Sequence, residues 1–357
     1  MIRKFLAGPG PVHAPTVILT YALAVAAGFL ARFLHIPLPM LLGPLLVIAA
    51  LAILDIRPLG HSVAVLPGLR TIFVPVIGVA IGAAFRPEML DQAANWLPSL
   101  LAMALFTPLV HWAGYRTVRA MGLDRTTSVY GTMPGGWLEA LQMGEDAGAD
   151  ARMIAILQFL RLILTIILVP VAFTWISGQA VGSASGAAMP GSDLGLTLTD
   201  AALLTAAGIL GYVVGRALRF PAPQMTGPIL VSGLVHLTGL TQTVPPGWLI
   251  AVTQVVIGTA LGTRFAGMPK GQLRRGFRLA LAQQAVMMAA AGLATVLVMR
   301  LVDEPASAVF LAFAPGGLVE MSLVALSLNL SIVYVSAHHV LRIVLAVVVA
   351  RAVTRRR

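Results

Sequence analysis

The sequence predicts an all-α polytopic membrane protein, built from two tandem homologous halves with about ten spans and two re-entrant or broken Pro-Gly-Gly helices. Three observations predict it. First, 58% of the 357 residues are hydrophobic and only 10% are charged, against about 25% charged in soluble domains. Second, apolar runs such as Thr16–Leu34, Ile154–Ile176 and His339–Val353 approach the ~20 residues that a bilayer-spanning helix needs, and such runs recur along the chain. Third, several short motifs occur twice in the same order.

With Gly, Pro and charged residues read as punctuation, the first half gives helices near 14–34, 37–54, 66–85 and 95–118. A shorter apolar stretch follows at 127–143, and then a long helix near 152–177. Residues 178–197 are rich in Gly, Ser and Ala and read as a linker between a first membrane repeat, 1–177, and a second, 198–357. The second repeat reads 198–218, 221–240, 246–265, 276–301, 306–328 and 332–354.

The duplication is visible in residues as well as in hydropathy. Arg32, Pro37, Pro39 and Gly43-Pro44 match Arg216, Pro221, Pro223 and Gly227-Pro228 at an offset of 184. Ile77-Gly78, Ala80, Gly82 and Phe85 match Ile257-Gly258, Ala260, Gly262 and Phe265 at 180. Pro134-Gly135-Gly136 with Glu139 matches Pro315-Gly316-Gly317 with Glu320 at 181, and Arg161 matches Arg342 at the same offset.

Charge orients the halves. If each Pro-Gly-Gly stretch dips into the membrane and returns, the side holding the N-terminus collects nineteen Arg and Lys residues and the opposite side keeps Arg32, Arg86 and Arg300. That bias places both termini in the cytoplasm and the halves in opposite orientation. If both stretches cross instead, the bias largely cancels. One feature opposes the ten-span count: 306–328 is apolar enough to span by itself.

The candidate site gathers the same residue types from both halves. Proline lacks an amide hydrogen and glycine tolerates positive φ, so Pro134, Gly135, Gly136 and Pro315, Gly316, Gly317 stop a helix and free backbone groups. In a membrane such groups are tolerated only within protein or along a water-filled cavity, and inverted-repeat transporters use discontinuous helices in this way. A plain structural turn is the alternative. Glu139 and Glu320 follow one helical turn later, where a carboxylate at membrane depth costs about 2.5–3.5 kcal/mol unless it finds a cavity or a partner. For Glu139, close to Glu145, Asp146 and Asp150, a headgroup location is the competing reading.

Arg161 and Arg342 lie inside the last helix of each half, with Gln158 and His339 one turn earlier on the same face. Two readings stay open: a structural Glu–Arg pair that holds helices together, or a polar cluster handling a substrate, an ion or a proton. In the second, an arginine suits an anionic group and a glutamate carries a proton. Gly78-x-x-x-Gly82 and Gly258-x-x-x-Gly262 fit close helix packing.

Other chemistry finds little support. The chain has no cysteine, which excludes disulfides and thiolate sites. Adjacent His338 and His339 point about 100° apart on a helix and do not readily chelate one ion. No catalytic residue, metal site or cofactor is assigned. The net charge of +11 is spread between apolar runs, so Arg274, Arg275, Arg278 and Arg355–Arg357 read as membrane-flank anchors and no direct nucleic-acid binding is expected. The expected partners are the lipid bilayer and an unknown small solute or ion. A homo-oligomer is compatible with the sequence.

At Pro134-Gly-Gly-Trp-Leu-Glu139 and Pro315-Gly-Gly-Leu-Val-Glu320 the chain resembles the bacterial AbrB-type duplicated membrane protein family, from about residue 16 to 353. The resemblance implies a bacterial inner-membrane protein with two repeated modules, sometimes linked to regulation of gene expression. Members are often labelled ammonia monooxygenase or AbrB family transcriptional regulator. An oxygenase needs a metal or organic cofactor that these residues do not suggest. A membrane protein acts on expression more simply through a transported solute or a held partner. A transporter-like protein with a central polar site is the leading reading, an embedded regulator the next, and an oxygenase the third.

Overall fold

The computed structural model describes residues 13–66, 68–85, 94–177, 195–220 and 222–355. Most of the expected linker therefore lies outside the described residues. Within them the chain is all-helical. In chain order the α-helices are α1 (Ala14–Phe33), α2 (Pro39–Ile53), α3 (Leu69–Gly82), α4 (Leu97–Ala120), α5 (Arg125–Gly131), α6 (Trp137–Asp146) and α7 (Ala151–Ser177). There follow α8 (Leu198–Ala217), α9 (Pro223–Leu237), α10 (Gly247–Gly262), α11 (Lys270–Val298), α12 (Ala306–Phe313), α13 (Leu318–Ser327) and α14 (Ile332–Arg355).

Among the described residues seven helices are long and apolar enough to cross a membrane: α1, α4, α7, α8, α10, α11 and α14. A count of ten adds α2, α3 and α9, which have 15, 14 and 15 residues. At 1.5 Å per residue these reach about 22 Å, short of the ~30 Å hydrocarbon core. The apolar stretch at 306–328, long enough to span, is divided instead into α12 and α13.

The helices form two compact units, each of which draws on both halves of the chain. One comprises Met1–Ala84, Ile167–Leu218 and Pro223–Lys270; the other comprises Phe85–Ile166, Arg219–Ala222 and Gly271–Arg357.

In the first unit α1 pairs with α2 and α8 with α9, and the third helix of each half packs on the second helix of the other. Glycine makes those approaches possible. A Cβ on Gly78 would sit 2.8 Å from the Met225 carbonyl oxygen and 2.9 Å from Pro228 Cβ. One on Gly262 would sit 2.9 Å from the Ala49 nitrogen and 3.0 Å from the Leu45 oxygen. Both Gly-x-x-x-Gly pairs are thus helix-packing faces. The Ser232 hydroxyl adds a hydrogen bond to the Val79 carbonyl at 2.9 Å.

In the second unit α14 packs against α4, α12 and α13, and α5 against α4 and α6. Its buried interior includes Tyr130, Phe159, Phe313 and Tyr334, and two charged side chains, Arg161 and Arg342, are among the largest fully buried groups in the protein.

Candidate functional site at the two helix breaks

Both breaks lie in the second unit. Asp124 caps α5 by accepting a hydrogen bond from the Thr127 amide at 2.8 Å, a standard N-cap. The helix stops after Gly131 because Pro134 cannot continue the ladder. The chain restarts at α6 from Gly136, which has φ +64, a left-handed conformation that favours glycine. In the second break Ala314 precedes Pro315 and takes ψ 143, the extended conformation that a following proline imposes. Gly317 then caps α13 with φ −86 and ψ 155. Its lack of a side chain matters for a different reason: a Cβ there would collide with the Glu320 carboxylate.

A broken helix leaves carbonyls exposed at its C-terminal side. Side chains of the final helices supply the donors. Gln158 Nε2 donates to the Tyr130, Gly131 and Met133 carbonyls at 3.1, 3.2 and 3.2 Å. Arg161 Nη1 donates to the Met133 carbonyl at 3.1 Å. In the second break His339 Nε2 meets the Leu311 carbonyl at 2.9 Å. Arg342 donates from Nη1 to the Ala314 carbonyl and from Nη2 to the Gly316 carbonyl at 2.5 Å. Tyr130 and Leu311, and Met133 and Ala314, stand at the offset of 181 that also relates the two arginines. The same donor position therefore serves the same carbonyl in each half.

The glutamates lie at the opposite end of each break. Glu139 and Glu320 occupy the first turns of α6 and α13 and fold back toward Gly136 and Gly317. An anion there meets the positive end of the helix dipole, as the cationic arginines meet the negative ends of α5 and α12. Among the described residues no ion pair joins either glutamate to an arginine. Of the two readings left open, the Glu–Arg pair is not formed among the described residues; the arginines bond carbonyls. Glu320 is still close enough for its charge to act on Arg161, and the charges of Arg161 and Arg342 act on each other.

Each break also lies against the final helix of the other half. A Cβ on Gly135 would sit 3.3 Å from Ile343, and one on Gly317 3.3 Å from Leu162. Thr165 approaches the Pro315 carbonyl at 3.5 Å. All twelve predicted residues are therefore gathered at two breaks served by α7 and α14. Arg161 and Arg342 are each 1% exposed and Glu320 is 3% exposed, whereas Glu139 is only half-buried. The Nε of both arginines is buried without a hydrogen-bond partner.

Sequence reasoning missed several contributors. His111 of α4 bonds the Val129 carbonyl at 2.8 Å, and Gln284 of α11 donates to the Thr165 hydroxyl at 2.8 Å. Their signal was a polar side chain in an apolar run, but nothing in the order of residues said which helix it would face. Among the described residues no group of three or more His, Asp or Glu side chains is placed to hold a metal ion.

Comparison with known proteins identifies relatives of the chain. The family model described as "Transition state regulatory protein AbrB" matches residues 54–357. The chain is 29% identical over 360 residues to "Putative regulator AbrB" of Escherichia coli (strain K12), covering 97% of each chain. It is 25% identical over 343 residues to "Uncharacterized protein YhjN" of Bacillus subtilis (strain 168), covering 91% of this chain and 89% of that one. Matched over most of its length and carrying paired helix breaks within an all-helical membrane architecture, the chain belongs to the AbrB family.

Proposed function

We propose that this protein is a secondary-transporter-like membrane protein whose helix breaks bind the anionic group of a small solute. The observation that carries this reading is the pair of fully buried arginines, each with an unpartnered Nε, with Glu320 near Arg161 as the one buried carboxylate among the described residues. Buried charge is costly without compensation. Two guanidiniums near one carboxylate leave a positive excess that a bound carboxylate or phosphate would neutralise, and the free Nε groups supply donors for it. The two breaks are read as inverted copies on the strength of the basic-residue bias, which also favours cytoplasmic termini; the family resemblance is what suggests a bacterial inner membrane.

The test is uptake by the purified full-length protein in proteoliposomes, over a panel of labelled mono- and dicarboxylates and inorganic phosphate. Uptake of one class is expected, and its loss in Arg161→Gln and Arg342→Gln proteins that remain monodisperse. Folded variants that transport as well as the parent overturn the reading. A second reading, a membrane-embedded regulator acting indirectly, draws on the words "regulator" and "regulatory" in the descriptions of the relative and the family. Under that reading no solute on the panel is taken up, while the expression profile of a deletion strain changes.

A further inference from the structure

The final helices bring matching donors to the two breaks but leave different atoms over. At the second break His339 accepts from Arg342 Nη2 at its Nδ1, 2.8 Å away, and donates from Nε2 to the Leu311 carbonyl. Both ring nitrogens are occupied, and of that pair of residues only Arg342 Nε lacks a partner. At the first break Gln158 takes the place of His339. Its Nε2 faces the Tyr130, Gly131 and Met133 carbonyls, and its Oε1 is buried with no hydrogen-bond donor. Turning the amide over does not help. Three carbonyl oxygens surround one end of it, and only nitrogen can donate to them.

The orphaned oxygen has a second orphan beside it. Arg161 stands one turn along the same face of α7, and its Nη1 shares the Met133 carbonyl with Gln158 Nε2, at 3.1 and 3.2 Å. Arg161 Nε is also buried without a partner. Neighbouring side chains thus present a free donor and a free acceptor that do not bond each other. Both residues are 1% exposed, so bulk water does not serve them. A buried polar group left unpaired costs about 1–3 kcal/mol, and such groups are rare enough in folded proteins to call for a partner.

A group that completes both atoms must accept from Arg161 Nε and donate to Gln158 Oε1, from positions close together. A plain carboxylate only accepts. It would leave Oε1 unpaired or set its own charge against that oxygen. A carboxylate with a hydroxyl on the adjacent carbon offers both, an oxygen to Arg161 and the hydroxyl hydrogen to Gln158. Sites that hydrogen-bond a hydroxyl reject the analogue lacking it, because their own buried group is then stranded. An ammonium in place of the hydroxyl also donates, but it cancels the negative charge that two buried arginines favour.

We propose that the solute is a small 2-hydroxycarboxylate, and that Gln158 selects its hydroxyl while Arg161 holds its carboxylate. The carboxylate half rests on the anion reading above; the hydroxyl half rests on the orphaned oxygen of Gln158. The two breaks then divide the work. The second, with its histidine complete, offers a solute only the donor of Arg342. The first offers a donor and an acceptor side by side.

The experiment is calorimetric titration of the purified full-length protein in lipid nanodiscs with matched pairs, lactate against propionate and malate against succinate. The hydroxyl member of each pair is expected to bind about tenfold more tightly or better. Gln158→His installs at the first break the residue that the second already carries and keeps a donor for the carbonyls. It should shrink the preference to about twofold. Equal binding within each pair, the result expected if a water bridges Gln158 and Arg161, overturns the proposal and leaves the anion reading standing. A preference that survives Gln158→His also overturns it, as does binding of alanine in place of lactate. Lactamide keeps the hydroxyl and lacks the anion. If it binds as tightly as lactate, the anion reading falls and takes the carboxylate half with it, while the hydroxyl contact of Gln158 stands. No binding by any of these compounds sinks both. The pairs are measured on the parent protein, so the outcome does not depend on the variant folding.

Discussion

The two helix breaks share a plan and differ in depth. In the first, one amide group of Gln158 serves three carbonyls and Arg161 serves one. In the second, Arg342 serves two carbonyls and also supports His339. The first break carries a half-buried Glu139 and leads into α6, which ends in Glu145 and Asp146. The second carries a buried Glu320 and leads into α13, where Leu318 through Leu326 are all buried. One arrangement of donors therefore supports two environments. Both arginines are equally buried, but the second break also holds its glutamate away from water, where its charge acts more strongly, while the first keeps its glutamate nearer to polar surroundings.

The largest expected difference lies in the arginines. Arg342→Gln strands two buried carbonyls and should lower stability by about 2–4 kcal/mol, the cost of leaving buried acceptors unpaired. Arg161→Gln, with Gln158 still bonded to Met133, should cost about half as much. Thermal unfolding in detergent measures both, and equal losses would break the comparison.

The carboxylates come next. Glu320→Gln removes the buried negative charge beside Arg161, so anion binding should tighten by about tenfold, or 1.4 kcal/mol. Glu139→Gln should change it by less than about twofold, since exposed charges act weakly. Calorimetric titration with the transported anion separates the two, and a dominant Glu139 effect would reverse the assignment of depth.

The glycines sharpen the contrast further. Gly136→Ala forces a side chain into a left-handed conformation and should cost about 1–2 kcal/mol, most of it independent of position 139. Gly317→Ala should cost a similar amount through collision with Glu320, and Glu320→Ala should relieve it. A double-mutant cycle should show coupling of about 1 kcal/mol at 317 and 320 and a smaller one at 136 and 139, where the added Cβ would stand 3.0 Å from the Glu139 carboxylate. The smallest effect expected is His339→Gln. Glutamine already stands at the matching position 158, and it offers both a donor for Leu311 and an acceptor for Arg342. Its cost should stay below about 1 kcal/mol in the same unfolding assay.

Much of this was legible beforehand because it depends on local chemistry. The membrane architecture follows from uninterrupted apolar runs. The breaks follow from Pro-Gly-Gly, whose missing amide and permissive backbone act on their own neighbours. The placement of Gln158 and His339 on the arginine face follows from helical spacing. Partner choice was less accessible. A glutamate and an arginine in one apolar chain suggest an ion pair, yet the arginines turn to carbonyls freed by the breaks, because an unpaired buried carbonyl is itself costly. Nor did the apolar length of 306–328 reveal that Ala314 would be held extended by Pro315.

By itself, then, the sequence determined that the chain lives in a membrane, where its helices stop, and which charged residues recur at matching places. These are consequences of composition and of steric rules that reach only a few residues. The tertiary structure alone decided that each compact unit draws helices from both halves, and that Arg161 and Arg342 cap carbonyls rather than carboxylates. It alone set the Nδ1 of His338 against the Tyr334 carbonyl and the Nδ1 of its neighbour His339 against Arg342. Those outcomes depend on which donors and acceptors meet across helices far apart in the chain, and the spacing of residues along one helix carries no record of its neighbours.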